Sequence, residues 1–306
     1  MRIAVIGAGG IGGIYAAALA KAGAEVSVVA RGAHLAAMQA NGLKVEGDRG
    51  ETHVAVHATD DPGSIGPVDC VLLCVKLWDV ESAAEAIRPM VGPQTAIIPL
   101  QNGVDAHDRL IPILGRDAVM GGTAWVTGSI IAPGVIRQTG AYQTMTFGEL
   151  DGTMSARGQR LAELCVKAEI EPVYGPNVLV PIWKKFLMLV PLANVNALTR
   201  LPLGTYRADP DLYALLEASL RETIAVGRAE GIGLPADSFE TGMATIQSMP
   251  DHHMTSMGND LLRGNRIELP WFAGKIVELG RKHGIPTPVN SFVYAALKLY
   301  INGKPG

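Results

Sequence analysis

Cysteine is scarce. Three in 306 residues, Cys70, Cys74 and Cys165, with no metal-ligand spacing, exclude a disulfide scaffold and a cysteine-based metal site. Cys70 and Cys74 lie in one apolar run and read as small core residues, a usage that fits a reducing cytoplasm. Charge of neither sign is in excess. A formal net charge of −3 and the lack of a basic stripe exclude nucleic acid as a main partner. Long apolar runs are also missing. The uncharged stretch 3–20 could pass for a signal or membrane segment, but its five glycines between positions 7 and 13 would weaken any continuous helix, and no other stretch is long enough to cross a bilayer. There is no internal repeat and no low-complexity tract. What is present is an apolar composition of 48%, enough for two medium cores.

The first thirty-one residues carry the strongest local signal. Residues 1–6 are an Ile/Val-rich run that reads as a buried parallel strand, and a helical pattern follows over 10–22. Between them Gly7, Gly9 and Gly12 form GxGxxG, the turn whose backbone approaches a pyrophosphate at a helix N-terminus. Gly7, Ala8, Gly9, Gly10, Ile11 and Gly12 are therefore the expected phosphate-binding residues. A second strand over 25–30 ends at Arg31. An acidic side chain there would accept hydrogen bonds from a ribose 2′-OH; a guanidinium instead offers charge-assisted bonds to a 2′-phosphate. The expected cofactor is NADP(H) rather than NAD(H), the competing reading being a solvated surface arginine.

Further along, residues 43–46 and 53–59 alternate as a strand pair, 69–75 is a buried strand followed by Lys76, 80–90 is helical, and 95–100 is a strand ending in Gln101-Asn102-Gly103. Strands alternating with helices predict a doubly wound parallel sheet with ligands at the carboxyl ends, where Lys76 and Asn102 fall. Residues 120–149 predict an antiparallel completion of that sheet, 154–169 a helix and 172–174 a short strand. The domain boundary is placed at Gly175-Pro176, giving a dinucleotide-binding domain over 1–176 and a helical domain over 177–306, with helices starting near 181, 210, 237, 253, 270 and 289. The expected fold is α/β: a Rossmann-like N-terminal domain and an all-helical C-terminal one.

The helix beginning near 181 is apolar on nearly every face yet carries Lys184-Lys185. Lys185 shares a stripe with Leu189 and Ala193, and an ammonium so placed loses its charge or finds a carboxylate. No acid lies within a turn of it, so a partner must come from elsewhere; otherwise the side chain snorkels to solvent. Glu268, between Ile267 and Leu269 and just before Pro270, is the candidate, placed to feel a helix N-terminus, although an ordinary helix-start acid reads the same way. His252-His253 invites a metal reading, but adjacent histidines do not share a helix face and no third ligand is near; no metal site is expected. Trp183 and Trp271 read as packing residues of the helical domain.

Taken in order, GAGGIGG, the strand-end Arg31, VKLWD around Lys76, QNG at 101–103, IWKKF around Lys185, TSMGNDLLRGNRIE through Glu268, and HGIPTP resemble the ketopantoate reductase family over almost the whole chain. The resemblance implies NADP(H) on the N-terminal domain, an active site in the cleft between the domains, Lys185 as general acid, Glu268 as its polar partner and a substrate ligand, Asn102 and Ser256 as substrate-holding groups, and Lys76 near the nicotinamide and substrate. It implies reduction of a 2-oxo acid to a 2-hydroxy acid in the cytoplasm, as in the step from 2-dehydropantoate to pantoate, and is compatible with a homodimer. Family members that reduce ketopantoate commonly carry asparagines one and two turns after the catalytic lysine. Here those positions are Leu189 and Ala193, while Asn194 and Asn196 are out of that register. The alternative class is an NADP(H)-binding sensor or interaction protein without turnover.

Overall fold

The structure, a computed structural model, describes residues 1–305 and divides into two compact units, the first ending at Ile182 and the second starting at Trp183. In the first, β1 (Arg2–Ile6), α1 (Gly10–Lys21), β2 (Glu25–Val29) and α2 (Gly32–Asn41) lead to β3 (Leu43–Gly47), β4 (Gly50–Val54) and β5 (His57–Thr59). There follow β6 (Cys70–Leu73), α3 (Val80–Ile87), β7 (Ala96–Pro99), α4 (Ala106–Leu114), the long β8 (Met120–Ala132) and β9 (Val135–Glu149), α5 (Ala156–Lys167) and β10 (Glu171–Tyr174).

Five strands form an all-parallel sheet in the order β5-β2-β1-β6-β7. Its side chains alternate between two cores, as a period of two requires. Ile3, Val5, Val26, Val28, Cys70, Leu72, Ala96 and Ile98 pack on the α1 side. Ala4, Ile6, Val29, Val71, Leu73 and Ile97 pack with Val80, Ala84 and Ile87 of α3 and Leu110 of α4. At about 25 cal/mol per Å² of apolar surface removed from water, covering these strands on both faces stabilises the unit. Burial also pushes the thiols up, Cys165 to about 12 and Cys70 further, so both remain protonated core groups.

Two expectations need correction. Residues 53–59 are not one strand: β4 pairs antiparallel with β3, whereas β5 turns away to pair parallel with β2. Residues 120–149 do not complete the parallel sheet but build a second one, β10-β9-β3-β4 with β8 paired to β9, which meets the first through a single bridge from Ile97 to Val119. Helix α1 faces both sheets, which is why it is apolar all round: Tyr15 is fully buried and its hydroxyl donates to the Thr144 carbonyl at 2.8 Å. Arg157 on α5 ties the sheets, forking onto Glu149 at the end of β9 (2.8 and 2.7 Å) and donating to the Thr95 carbonyl before β7 (3.0 Å). The helix expected over 80–90 stops at Ile87, because Pro89 supplies no N–H, and ends as a 3-10 turn.

The second unit is helical: most of α6 (Leu179–Thr199), α7 (Leu203–Arg207), α8 (Pro210–Ala229), α9 (Ser238–Ser248), α10 (Ser256–Leu262), α11 (Ala273–His283) and α12 (Pro288–Leu297). The start expected near 253 falls at Ser256, where the Thr255 side chain caps α10 by accepting from Gly258 N–H. The start expected near 270 is a 3-10 turn, Leu269–Trp271, ahead of α11. Buried Glu222 of α8 accepts the Val289 and Asn290 N–H groups (2.8 and 3.0 Å), capping α12 from another helix. Among the described residues no helix is long and apolar enough to cross a membrane.

Candidate active site

At the end of β1, Gly7 takes φ +91°, a region open to glycine, and the Gly7 and Ala8 N–H groups both donate to the Val29 carbonyl at 3.1 and 3.2 Å. The turn is thereby closed against the end of β2, two residues before Arg31. A Cβ at Gly12 would overlap the Gly7 carbonyl, so only glycine lets α1 sit this close to its strand. The first helical bond runs from Gly13 N–H to Gly9 C=O, which leaves the N–H groups of Gly10, Ile11 and Gly12 at the helix entrance. Nothing lies within 4 Å of where a Gly9 Cβ would project. An open cradle of backbone donors fits a pyrophosphate, and Arg31, exposed at the N-cap of α2, fits the 2′-phosphate of NADP(H).

Beside it, Leu73 of β6 pairs with Pro99 of β7, so Lys76 and Asn102 each stand three residues beyond a paired position on adjacent parallel strands. Buried Gln101 binds these strand ends together, its amide donating to the carbonyls of Leu73 (2.8 Å) and Val75 (3.1 Å). Arg109 of α4 secures the segment after Lys76 by donating to the Leu77 carbonyl at 2.6 Å while forking onto Glu81. Lys76 is exposed, with its ammonium 5.6 Å from the Trp78 ring, and Asn102 is half-buried. Gln101 and Arg109 are structural supports of these strand ends whose bonds the sequence does not mark: a glutamine before Asn-Gly reads only as part of a turn.

In the second unit α6 carries Lys185 partly buried, with Trp183, Phe186 and Leu187 buried around it. Phe186 meets Phe272 edge to face, 6.3 Å between centroids, which draws the Lys185 turn of α6 to the segment just after Glu268. Burial holds the Lys185 ammonium down at about 8, against the opposing pull of the Glu268 carboxylate. Glu268 is itself buried, and its carboxylate acts on Lys185 from far along the chain. Its expected support from a helix dipole is corrected: only the three-residue 3-10 turn follows it, too short for a macrodipole.

Leu189 is half-buried and Ala193 buried on the stripe beyond Lys185. Neither nearby asparagine replaces the missing amides. Asn194 donates to Ser219 Oγ (3.0 Å) and Asn290 Oδ1 (2.9 Å), knitting α6 to α8 and α12. Asn196 accepts from Thr255 N–H at 2.9 Å and donates to the Leu201 carbonyl at 2.8 Å. Asn196 thus fixes the cap of α10, whose first residue is the exposed Ser256. Among the described residues no group of three His, Cys, Asp or Glu side chains could hold a metal ion.

A Rossmann-type glycine turn with an exposed arginine after its second strand, and a lysine lowered toward neutral pH by burial against the pull of one carboxylate, are features of a nicotinamide-dependent oxidoreductase. The ketopantoate reductase PanE/ApbA family model matches residues 3–152 and its C-terminal counterpart residues 177–301. A 2-dehydropantoate 2-reductase of Mesorhizobium japonicum is 32% identical, covering 97% of both chains. The crystal structure of a PanE/ApbA family ketopantoate reductase from Ralstonia eutropha JMP134 superposes with a TM-score of 0.90 at 32% identity and 98% coverage of both chains. A D-mandelate dehydrogenase solved with NADH and anilino(oxo)acetate shares the fold, TM-score 0.89, at 19% identity. The chain belongs to the ketopantoate reductase family, and it is an NADP-dependent oxidoreductase acting on CH–OH groups.

Proposed function

We propose that the protein reduces a 2-oxo acid to the 2-hydroxy acid, with Lys185 as the proton donor and Glu268 as the carboxylate that keeps it charged. The observation that carries this is a lysine held at about 8 by burial and countered by a buried glutamate. NADPH supplies the hydride. Gly7, Ala8, Gly9, Gly10, Ile11 and Gly12 hold its pyrophosphate, Arg31 its 2′-phosphate, and Lys76 and Asn102 lie toward the nicotinamide end. Asn102 and Ser256 orient the substrate, Lys76 and Glu268 adding polar contacts. As charge grows on the carbonyl oxygen, Lys185 stabilises it and transfers its proton from Nζ.

Leu189 and Ala193 set the substrate preference. A site that lacks two amides beside the substrate leaves a buried hydroxyl unpaired, so acids with hydrocarbon side chains are favoured over ketopantoate. Steady-state reduction of a 2-oxo acid panel that includes ketopantoate, with NADPH and NADH compared, tests both parts. A hydrocarbon-chain acid used best, with NADPH strongly preferred, supports the reading; ketopantoate as clearly the best substrate overturns the role given to Leu189 and Ala193. A cytoplasmic location and a homodimer accompany this reading, in keeping with three reduced cysteines and with the family resemblance.

A further inference from the structure

His34, in the first turn of α2, makes two hydrogen bonds that determine its chemical form. Gly134 N–H points at Nδ1 at 2.9 Å, and since a backbone amide only donates, Nδ1 accepts. The Ala8 carbonyl lies 2.8 Å from Nε2, and since a carbonyl only accepts, Nε2 carries the proton. The imidazole is therefore held as the neutral Nε2–H tautomer between two backbone groups, one in the glycine turn and one in the β8–β9 hairpin. Both ends are anchored: Gly134 lies in the turn between β8 and β9 and its carbonyl accepts from Lys44 N–H of β3 at 2.9 Å, while Ala8 N–H is bonded to Val29.

The consequence lies in one peptide plane. The peptide bond between Ala8 and Gly9 is trans, so the Ala8 carbonyl and the Gly9 N–H share a plane and point in opposite directions. By fixing the Ala8 oxygen on its own side, the imidazole turns the Gly9 N–H to the other. We propose that His34 is a positioning residue for the dinucleotide, aiming the Gly9 N–H into the phosphate cradle through its bond to the Ala8 carbonyl. This rests on the reading of the glycine turn as the NADPH site. Without His34 that peptide is freer to rotate, and ordering it on binding costs affinity.

The test compares NADPH dissociation constants, by fluorescence titration, for the wild type, His34→Ala and His34→Gln, with ¹⁵N NMR of the imidazole in the cofactor-free wild type. One lost backbone hydrogen bond predicts about a tenfold weaker NADPH affinity in His34→Ala, seen in KM for NADPH rather than in kcat. Glutamine, whose amide also donates, recovers part of that loss, and the NMR spectrum reports the Nε2–H tautomer. Wild-type affinity in His34→Ala, or an Nδ1–H tautomer, overturns the proposal. If the alanine variant does not fold, the glutamine variant and the tautomer decide it. Failure of the wild type itself to bind NADPH would instead bring down the cofactor reading, which keeps the two failures distinct.

Discussion

At the scale of single residues, pH can separate the roles proposed for Lys185 and Glu268. Burial lowers Lys185 from its ordinary 10.5 to about 8, with Glu268 pulling the other way. A proton donor must be charged, so kcat/KM for reduction should be level below about pH 8 and fall as pH rises through that value, approaching tenfold per unit. Glu268→Gln removes the charge that raises the lysine, so the fall should begin at lower pH; a midpoint that does not move would separate the two residues. Lys185→Ala should lower kcat by at least about a hundredfold, the size of a general acid's contribution. The sign for stability is opposite to that for activity. The folded protein releases this proton at a lower pH than the unfolded chain does, so the destabilising contribution of Lys185 is fully present below about pH 8 and is relieved as pH rises from there to 10.5. The pair was legible in sequence in part: the apolar stripe marks Lys185 as unusual and Glu268 stands as a candidate partner, but an ordinary helix-start acid reads the same way, and only the fold buries this glutamate where it acts on a lysine 83 residues earlier.

Among the elements, the contact that ties the two sheets carries the clearest prediction. Arg157 and Glu149 are nearly buried side chains whose forked bond links α5 to β9, and the third bond, to Thr95, reaches the parallel sheet. Glu149→Ala strands a guanidinium with little water to solvate it and should cost about 3–5 kcal/mol. Replacing both residues by apolar ones should cost clearly less, which thermal melts of the three variants would check. A double variant as unstable as Glu149→Ala would mean that the loss is one of packing and not of an unpaired charge. Such contacts explain where the sequence falls short. Residues 1–31 can be read because glycine spacing, strand and helix are all local signals. The second sheet cannot, because the choice of β3 by β9 depends on partners far along the chain, and the same holds for the choice of β2 by β5 at the edge of the first. Helix α2 escapes notice because it buries little beyond Leu35 and Met38, and α4 because Pro112 interrupts its pattern. The bonds of His34 and Gln101 are invisible in sequence for the same reason, since they are made to backbone groups far along the chain.

For the molecule as a whole, the proposed function divides its labour as the chain divides. The glycine turn, Arg31, Lys76 and Asn102 belong to the first unit, and Lys185, Ser256 and Glu268 to the second, each group supported by bonds within its own unit. Binding of the cofactor phosphates and delivery of the proton should therefore be separable. Arg31→Ala should weaken NADPH by about 10–100-fold, the worth of charge-assisted bonds to a phosphate, while leaving NADH affinity and the pH midpoint of reduction nearly unchanged. Lys185→Ala should remove turnover and leave the NADPH dissociation constant close to wild type. Because sites without shared partners contribute additively, the double variant should bind NADPH as Arg31→Ala does, to within about 0.5 kcal/mol. Titration of all four proteins with NADPH and NADH measures this directly. A double variant that binds NADPH much more weakly than Arg31→Ala would place Lys185 in cofactor binding as well as in proton transfer, and the assignment of the two units to two tasks would have to be given up.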